Sequence, residues 1–335
     1  MAGSEVYADF ASNVRWLQER VGEDVKNLPP HLRARGNWAV SKRLYIVPDG
    51  THAPDLDPEY GLPLPYSVFW FADAFGYSDN STVNSFALAM LYSVISSTLR
   101  DDIFDSEELR GERTHLLELH NIFRRKYIEI FEKAFDRRSS IWRHLAQAFN
   151  DELKYEVWNK AFTLQSCRNP FSAHFLEELS RFYYPIVMPS LAALALVAGA
   201  ENEIPKIARF FRHFSIGCLI LDDLKDCLID VSAEDMNHSC ILLYARQCIG
   251  EERELDEGAF SCLFLSEGFV RGVYDPILHY YNKAREDILP FNSRYLNKYM
   301  DEQLSFISRA RDATLKRRSI FFESLEPLLR SCSKK

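Results

Sequence analysis

The chain of 335 residues is 47% hydrophobic, enough for one extensive core, and it carries a formal charge of −8. That balance argues against nucleic acid or an anionic membrane surface as partner, because neither attracts an acidic protein. Seven cysteines with no Cys-x-x-Cys pair and no metal-ligand spacing read as reduced thiols. The first residues, Met1 to Tyr7, lack the basic and apolar regions of a signal peptide. A soluble, cytoplasmic protein is therefore expected. The run from Pro185 to Ala200 is apolar but short and interrupted by proline, so no membrane span is expected either.

Apolar residues recur at three- and four-residue spacing and nowhere alternate over a sustained stretch, which is the pattern of helices rather than strands. The spacing predicts helices over about residues 5–22, 66–77, 81–105, 112–135, 138–166, 171–199, 203–230, 237–249, 256–286, 293–314 and 317–331. The stretch from Pro48 to Pro65, rich in Pro, Asp and Gly, predicts a long loop. Residues 1–65 are thus expected to supply one amphipathic helix and that loop, capping the site. Pro290-Phe291-Asn292 predicts a break, with Asn292 or Ser293 capping the helix that follows. Neither a tandem repeat nor a low-complexity linker divides the chain, so the expected fold is a single all-α domain.

Two aspartate clusters of the same spelling stand out: Asp101, Asp102 and Asp105, then Asp222, Asp223 and Asp226. Each follows an apolar run of helical character, and each trio is expected near the end of a buried helix, facing a shared interior. Asp101 and Asp105 fall one turn apart on one face, and Asp222, Asp226 and Asp230 extend a stripe at i, i+4 and i+8. Like charges at that spacing repel and resist burial unless cations neutralise them. Mg²⁺ bridging to a multiply charged phosphate ligand is the simplest resolution. The plainer alternative is a solvated acidic stripe at a helix end.

Here a resemblance can be named. The stretch Asp101-Asp102-Ile-Phe-Asp105-Ser-Glu-Glu-Leu-Arg110 is similar to the first aspartate-rich motif of the trans-prenyl diphosphate synthases, and Asp222-Asp223-Leu-Lys-Asp226 to their second. The second stretch is also in register with the metal-binding triad of class I terpene cyclases, with Asp222, Asp226 and Asp230 standing where Asn, Ser and Glu usually stand. The resemblance covers roughly residues 65–300 and implies the α-helical bundle of the class I isoprenoid synthases around a deep central cavity. It also implies three Mg²⁺ ions on Asp101, Asp102, Asp105, Asp222, Asp223, Asp226 and Asp230, a prenyl diphosphate substrate, and pairing as a homodimer. Departures point to a branch. Nothing like the Gly-Gly-Lys-x-x-Arg segment that holds isopentenyl diphosphate in elongating synthases occurs between Tyr45 and Val83, and Gly111 stands where a second arginine is usual. That pattern resembles a prenyl-synthase-like terpene cyclase more than an elongating synthase.

The same resemblance supplies candidate partners for the diphosphate. Arg181, 41 residues before Asp222, stands near the family's diphosphate-sensing position, and Arg294-Tyr295 resembles the C-terminal Arg-Tyr pair of the cyclases; Lys225 lies inside the second motif. Arginine forks suit phosphate oxygens, although each of these residues reads equally as an ordinary surface side chain. An allylic cation left by the departing diphosphate needs shelter from water and aromatic faces that do not react with it. Candidates for that pocket are Phe71, Phe75, Tyr92, Phe162, Tyr183 and Phe214, with small Ser96 and Ser97 leaving room for fifteen or twenty carbons. The function implied is Mg²⁺-dependent ionisation and cyclisation of farnesyl or geranylgeranyl diphosphate. Two alternatives stand beside it: a prenyltransferase joining the allylic donor to isopentenyl diphosphate or another acceptor, and a catalytically silent helical partner of an active synthase.

Overall fold

The computed structural model describes residues 9–44, 64–105, 109–161, 170–180, 185–232, 239–250 and 255–332. Among them are thirteen α-helices and no strand, the all-α class that the apolar spacing predicts. Contacts within the chain gather into two compact units.

The first unit comprises residues 1–152, 184–208 and 288–299. Its described helices begin with α1 (Ala11–Lys26), α2 (Pro30–Leu44), α3 (Leu64–Ala74), α4 (Asn80–Asp105), α5 (Arg113–Ala134), the first part of α6 (Ile141–Ala161) and, later in the chain, α8 (Met188–Val197). Two helices therefore precede residue 45 where one was expected. Pro30 opens α2, a position where its missing N–H is no loss. The loop expected over 48–65 lies outside the described residues except at its last two positions, which already belong to α3.

Helix α4 is the core of this unit. From Asn80 to Leu99 it contains no charged residue, and every side chain from Phe86 to Ser93 is buried. A helix apolar all round must be covered on all sides, and α1, α2, α3, α5 and α8 all pack on it. Its Asn80–Ile103 stretch is long and apolar enough to cross a bilayer by length and composition, more so than the 185–200 run singled out in the sequence; 72% of its apolar 18-residue window is buried within the protein. Helix α5 runs antiparallel to α4. Phe86 stacks on Phe131, Tyr92 meets Phe123 at 5.9 Å, and Ser96 bonds His120.

One polar knot sits inside this packing. Asp24 of α1 is 7% exposed, accepts the Tyr92 hydroxyl, and pairs with Lys126 Nζ of α5 at 2.8 Å. Burial first, then the Asp24 carboxylate, pushes the Tyr92 phenol far above its ordinary range, so it stays a donor at any physiological pH.

The second unit comprises residues 153–183, 209–287 and 300–335. Its described helices are the last part of α6, α7 (Ala173–Ser180), most of α9 (Ile204–Ser232), α10 (Cys240–Ile249), α11 (Glu257–Leu263), nearly all of α12 (Glu267–Ile288) and most of α13 (Arg294–Cys332). Three breaks differ from expectation. The helix expected over 171–199 is two elements, α7 and α8, with Pro189 in the first turn of α8. That expected over 256–286 divides at 264–266, where Ser266 Oγ accepts the Phe269 N–H and starts α12. The pair expected over 293–331 is one continuous helix, because nothing near Lys316 breaks it.

Helices α9 and α12 are antiparallel. Buried Asp287 takes Arg209 Nε at 2.5 Å and His213 Nδ1 at 2.6 Å, and one turn on Phe214 meets Tyr281 edge to face at 5.3 Å. Gly217 makes this approach possible, since a Cβ there would overlap the fully buried Tyr281 ring. Gly217→Ala is expected to lower stability by about 1–3 kcal/mol despite alanine's better helix propensity. Asp24→Ala, which strands Tyr92 and Lys126 in the first unit, is expected to lose about 3 kcal/mol, and Tyr92→Phe about 1 kcal/mol. Denaturant unfolding of the three variants checks all three estimates.

Candidate functional site

The first aspartate motif is the C-terminal turn of α4. The buried, uncharged body of the helix ends here, and the chain reaches solvent at its first charged residues. The Asp101 side chain is 52% exposed, Asp102 is half-buried, and the Asp105 side chain lies outside the described part of the structure. Arg100 approaches Asp101 at 3.5 Å and reaches Glu152 of α6 at 3.3 Å; Glu152 in turn takes Arg124 of α5 at 3.6 Å. This chain of alternating charge joins three helices at the motif. Its negative member reaches into the core as well: burial first, then the Glu152 charge, holds the phenol of Tyr127 far above its ordinary range.

The second motif lies late in α9, and its first three described aspartates divide into two roles. Asp222, with its side chain 75% exposed, lies 4.0 Å from Lys225, and Asp226 is exposed one turn on. Asp223 points elsewhere: its Oδ2 accepts the Cys240 N–H at 2.6 Å. Cys240 is the first residue of α10, whose N-cap Ser239 accepts the N–H of Leu242. Asp223 thus satisfies one of the N–H groups that a helix start leaves without an intrahelical partner. Asp222 and Asp226 share a face at i and i+4; Asp230 continues the spacing, with its side chain outside the described part.

The resemblance implies Mg²⁺ at these motifs, and the donors fit it. They are hard carboxylate oxygens, the kind Mg²⁺ takes, and the neighbouring thiol, Cys227, is buried with its Sγ on the Leu224 carbonyl. Among the described residues no three His, Cys, Asp or Glu side chains form a ready cage. Mg²⁺ is commonly held by one or two carboxylates, with water and substrate phosphate filling the other positions, so exposed Asp101 on the first motif, and Asp222 with Asp226 on the second, would be the residues to hold it.

Other sequence candidates fall elsewhere. Arg294 and Tyr295 belong to the first unit but lie far from Asp101. Both bond Asp9 Oδ2, at 2.8 Å and 2.7 Å, and Phe10 stacks on Phe69 and meets the Tyr295 ring at 4.8 Å. Nearby, Asn13 bonds Asn84 at the start of α4, and the charge of Asp73, at the end of α3, is felt by Arg294. From Asn84 to Asp101 is about 25 Å of helix at 1.5 Å per residue. The structure does not bring this pair to the first motif; they hold the N-terminal segment instead. Burial first, then the Asp9 bond, pushes the Tyr295 phenol up.

Phe71 and Phe75 share that remote end, packed edge to face on Phe291 at 5.3 Å and 6.1 Å. The Tyr92 hydroxyl is committed to Asp24. Ser96 is buried with its carbonyl 2.9 Å from His120 Nδ1, and Ser97, half-buried, is the small residue of the pair not turned onto His120 by any described bond. In the second unit Phe214 packs between Phe210, at 5.7 Å, and Tyr281. Phe162, Arg181 and Tyr183 lie outside the described residues.

Sequence reasoning passed over Arg100, Arg124 and Glu152. Arg100 carried a signal, being the first charge after the long uncharged run of α4; its partners on α5 and α6 carried none.

No protein-family model matches the chain, and no curated protein sequence is similar to it. Among solved structures the chain is similar to geranylgeranyl pyrophosphate synthase from Corynebacterium glutamicum ATCC 13032, with a TM-score of 0.62 over 92% of this chain and 95% of that one, at 14% identity. The likeness shows the fold: this chain is built as an isoprenyl diphosphate synthase is built.

The division of labour in the second motif is measurable. Asp223→Ala is expected to lose about 1 kcal/mol of stability with its bond to α10, and Asp223→Asn, which keeps an acceptor, markedly less. Asp222→Asn, at an exposed position, should leave the unfolding midpoint unchanged. Thermal melts of the three proteins without ligand test this.

Proposed function

We propose that this protein is a Mg²⁺-dependent class I terpene synthase that ionises a linear allylic diphosphate of fifteen or twenty carbons and cyclises the resulting cation. The observation that carries the reading is the second motif on this fold. Asp223 is engaged with α10, while Asp222 and Asp226 stand exposed at the i, i+4 spacing that Asp230 extends. That register is the one in which the stretch resembles a cyclase triad. The missing Gly-Gly-Lys-x-x-Arg segment, with which elongating synthases hold isopentenyl diphosphate, points the same way.

In this reading Asp101, Asp102 and Asp105 of the first motif, and Asp222, Asp226 and Asp230 of the second, hold Mg²⁺. Bound there, Mg²⁺ supplies positive charge against the diphosphate as its carbon–oxygen bond breaks. Lys225 sits at the edge of the second motif in a weak, exposed pair with Asp222; turning from that carboxylate, it donates to a diphosphate oxygen. Arg181 is proposed as a second donor. The apolar side chains leading into the motifs keep water from the allylic cation, and Phe214, one of three phenylalanines on the second-motif helix, would offer it a ring face.

A second reading has its own support in the fold, since the solved structure that the chain is similar to is itself a geranylgeranyl pyrophosphate synthase. There the allylic cation would be captured by isopentenyl diphosphate or another acceptor instead of by its own double bonds.

Incubating the purified protein with Mg²⁺ and, separately, geranyl, farnesyl and geranylgeranyl diphosphates, with mass spectrometry of the organic extract, separates the readings. A cyclic product from one substrate alone is expected, reduced about a hundredfold or more in Asp101→Ala and Asp222→Ala. Product that forms only after isopentenyl diphosphate is added would replace the cyclase with a prenyltransferase. No turnover under either condition would leave a silent partner subunit.

A further inference from the structure

The first charge that α4 meets after its uncharged run is Arg100, immediately before the motif. Its guanidinium is bracketed by two carboxylates, Asp101 Oδ1 at 3.5 Å and Glu152 Oε2 at 3.3 Å. The distances are close, but the surroundings differ. Arg100 and Glu152 are each 12% exposed, whereas Asp101 is 52% exposed. Charges withdrawn from water attract more strongly than charges at the rim, where solvent and salt screen them. Of the two pairs, Arg100–Glu152 is therefore the stronger, and Arg100–Asp101, at the rim, the weaker. Glu152 is itself fixed by Arg124, whose guanidinium lies 4.1 Å over the Phe149 ring one turn earlier on α6.

We infer that Glu152 is a positioning residue for the first aspartate motif, holding the Arg100 guanidinium so that the Asp101 carboxylate remains available to a divalent cation. The inference rests on the metal and diphosphate role proposed above. Without the Glu152 charge, Arg100 turns to Asp101 and competes with Mg²⁺ for it. Removing that charge also sets Arg100 against Arg124, so stability falls whatever Glu152 does for the motif. The test must separate the two effects.

Calorimetric titration of the full chain with inorganic pyrophosphate in excess Mg²⁺ does so, with a thermal melt of each protein beside it. Glu152→Gln is expected to weaken Mg²⁺-dependent pyrophosphate binding by about fivefold, the upper range for a pair at the edge of solvent. Adding Arg100→Gln to it should restore binding without restoring the melting temperature, because the competing cation is gone while the packing defect stays. Arg100→Gln alone should tighten binding, and it serves as the test should Glu152→Gln fail to fold. Affinity unchanged in Glu152→Gln, no recovery in the double variant, or weaker binding in Arg100→Gln would each overturn the positioning role. A wild-type protein that binds no pyrophosphate in Mg²⁺ would overturn the metal–diphosphate reading, and this inference with it.

Discussion

A helix buried on every side cannot hold a charge along its length, because an unpaired ion in such surroundings is too unfavourable to keep. Helix α4 obeys that constraint from Asn80 to Leu99 and then places Arg100, Asp101, Asp102 and Asp105 within its last turns. The chemistry of the first unit is concentrated at one end of its central helix for this reason. The other helices of the unit are arranged accordingly. α5 lies antiparallel so that its aromatic residues meet those of α4, and α6 brings Glu152 to the level where the charges begin. The body of α4 needs only apolar neighbours, while its end needs charged ones.

The second unit solves a related problem differently. Three acids within five residues of one helix would repel one another, yet Asp223 is drawn aside by the positive end of α10. What remains on the exposed face is a wider spacing, Asp222 and Asp226, with Lys225 close by. A motif that looks like a run of equivalent carboxylates in the sequence is, in three dimensions, two exposed carboxylates and one structural anchor. That anchoring also fixes where α10 starts, and so ties a short element to the helix that carries the motif.

Much of this was legible in the chain itself. Helical spacing gave the class of fold, and both aspartate clusters fall late in long helices as expected, because both signals are local. The misses have local causes of their own. Ser266 ends one apolar stretch by capping, a signal weaker than a proline or glycine, and α2 is hidden because its apolar stripe is thin beside its arginines. Arg294 and Tyr295 stand apart from the first motif for a different reason. A two-residue match says nothing of which end of a long bundle it occupies, and Asn13, Asn84 and Asp73 place this one at the far end of α4. Glu152 was invisible in another way, since its role depends on three helices meeting and no spacing within one of them records that.

The clasp of Asp9 onto Arg294 and Tyr295 joins residues 285 and 286 positions apart. During synthesis the chain emerges from its N-terminus, so Asp9 and Phe10 leave the ribosome long before the residues that receive them. The faces of Phe10 and Phe69 that Tyr295 and its neighbours cover stay open through most of translation. Contacts of such separation form late and slowly. The first unit therefore begins to be made before the second and is closed only when residues 294 and 295 arrive.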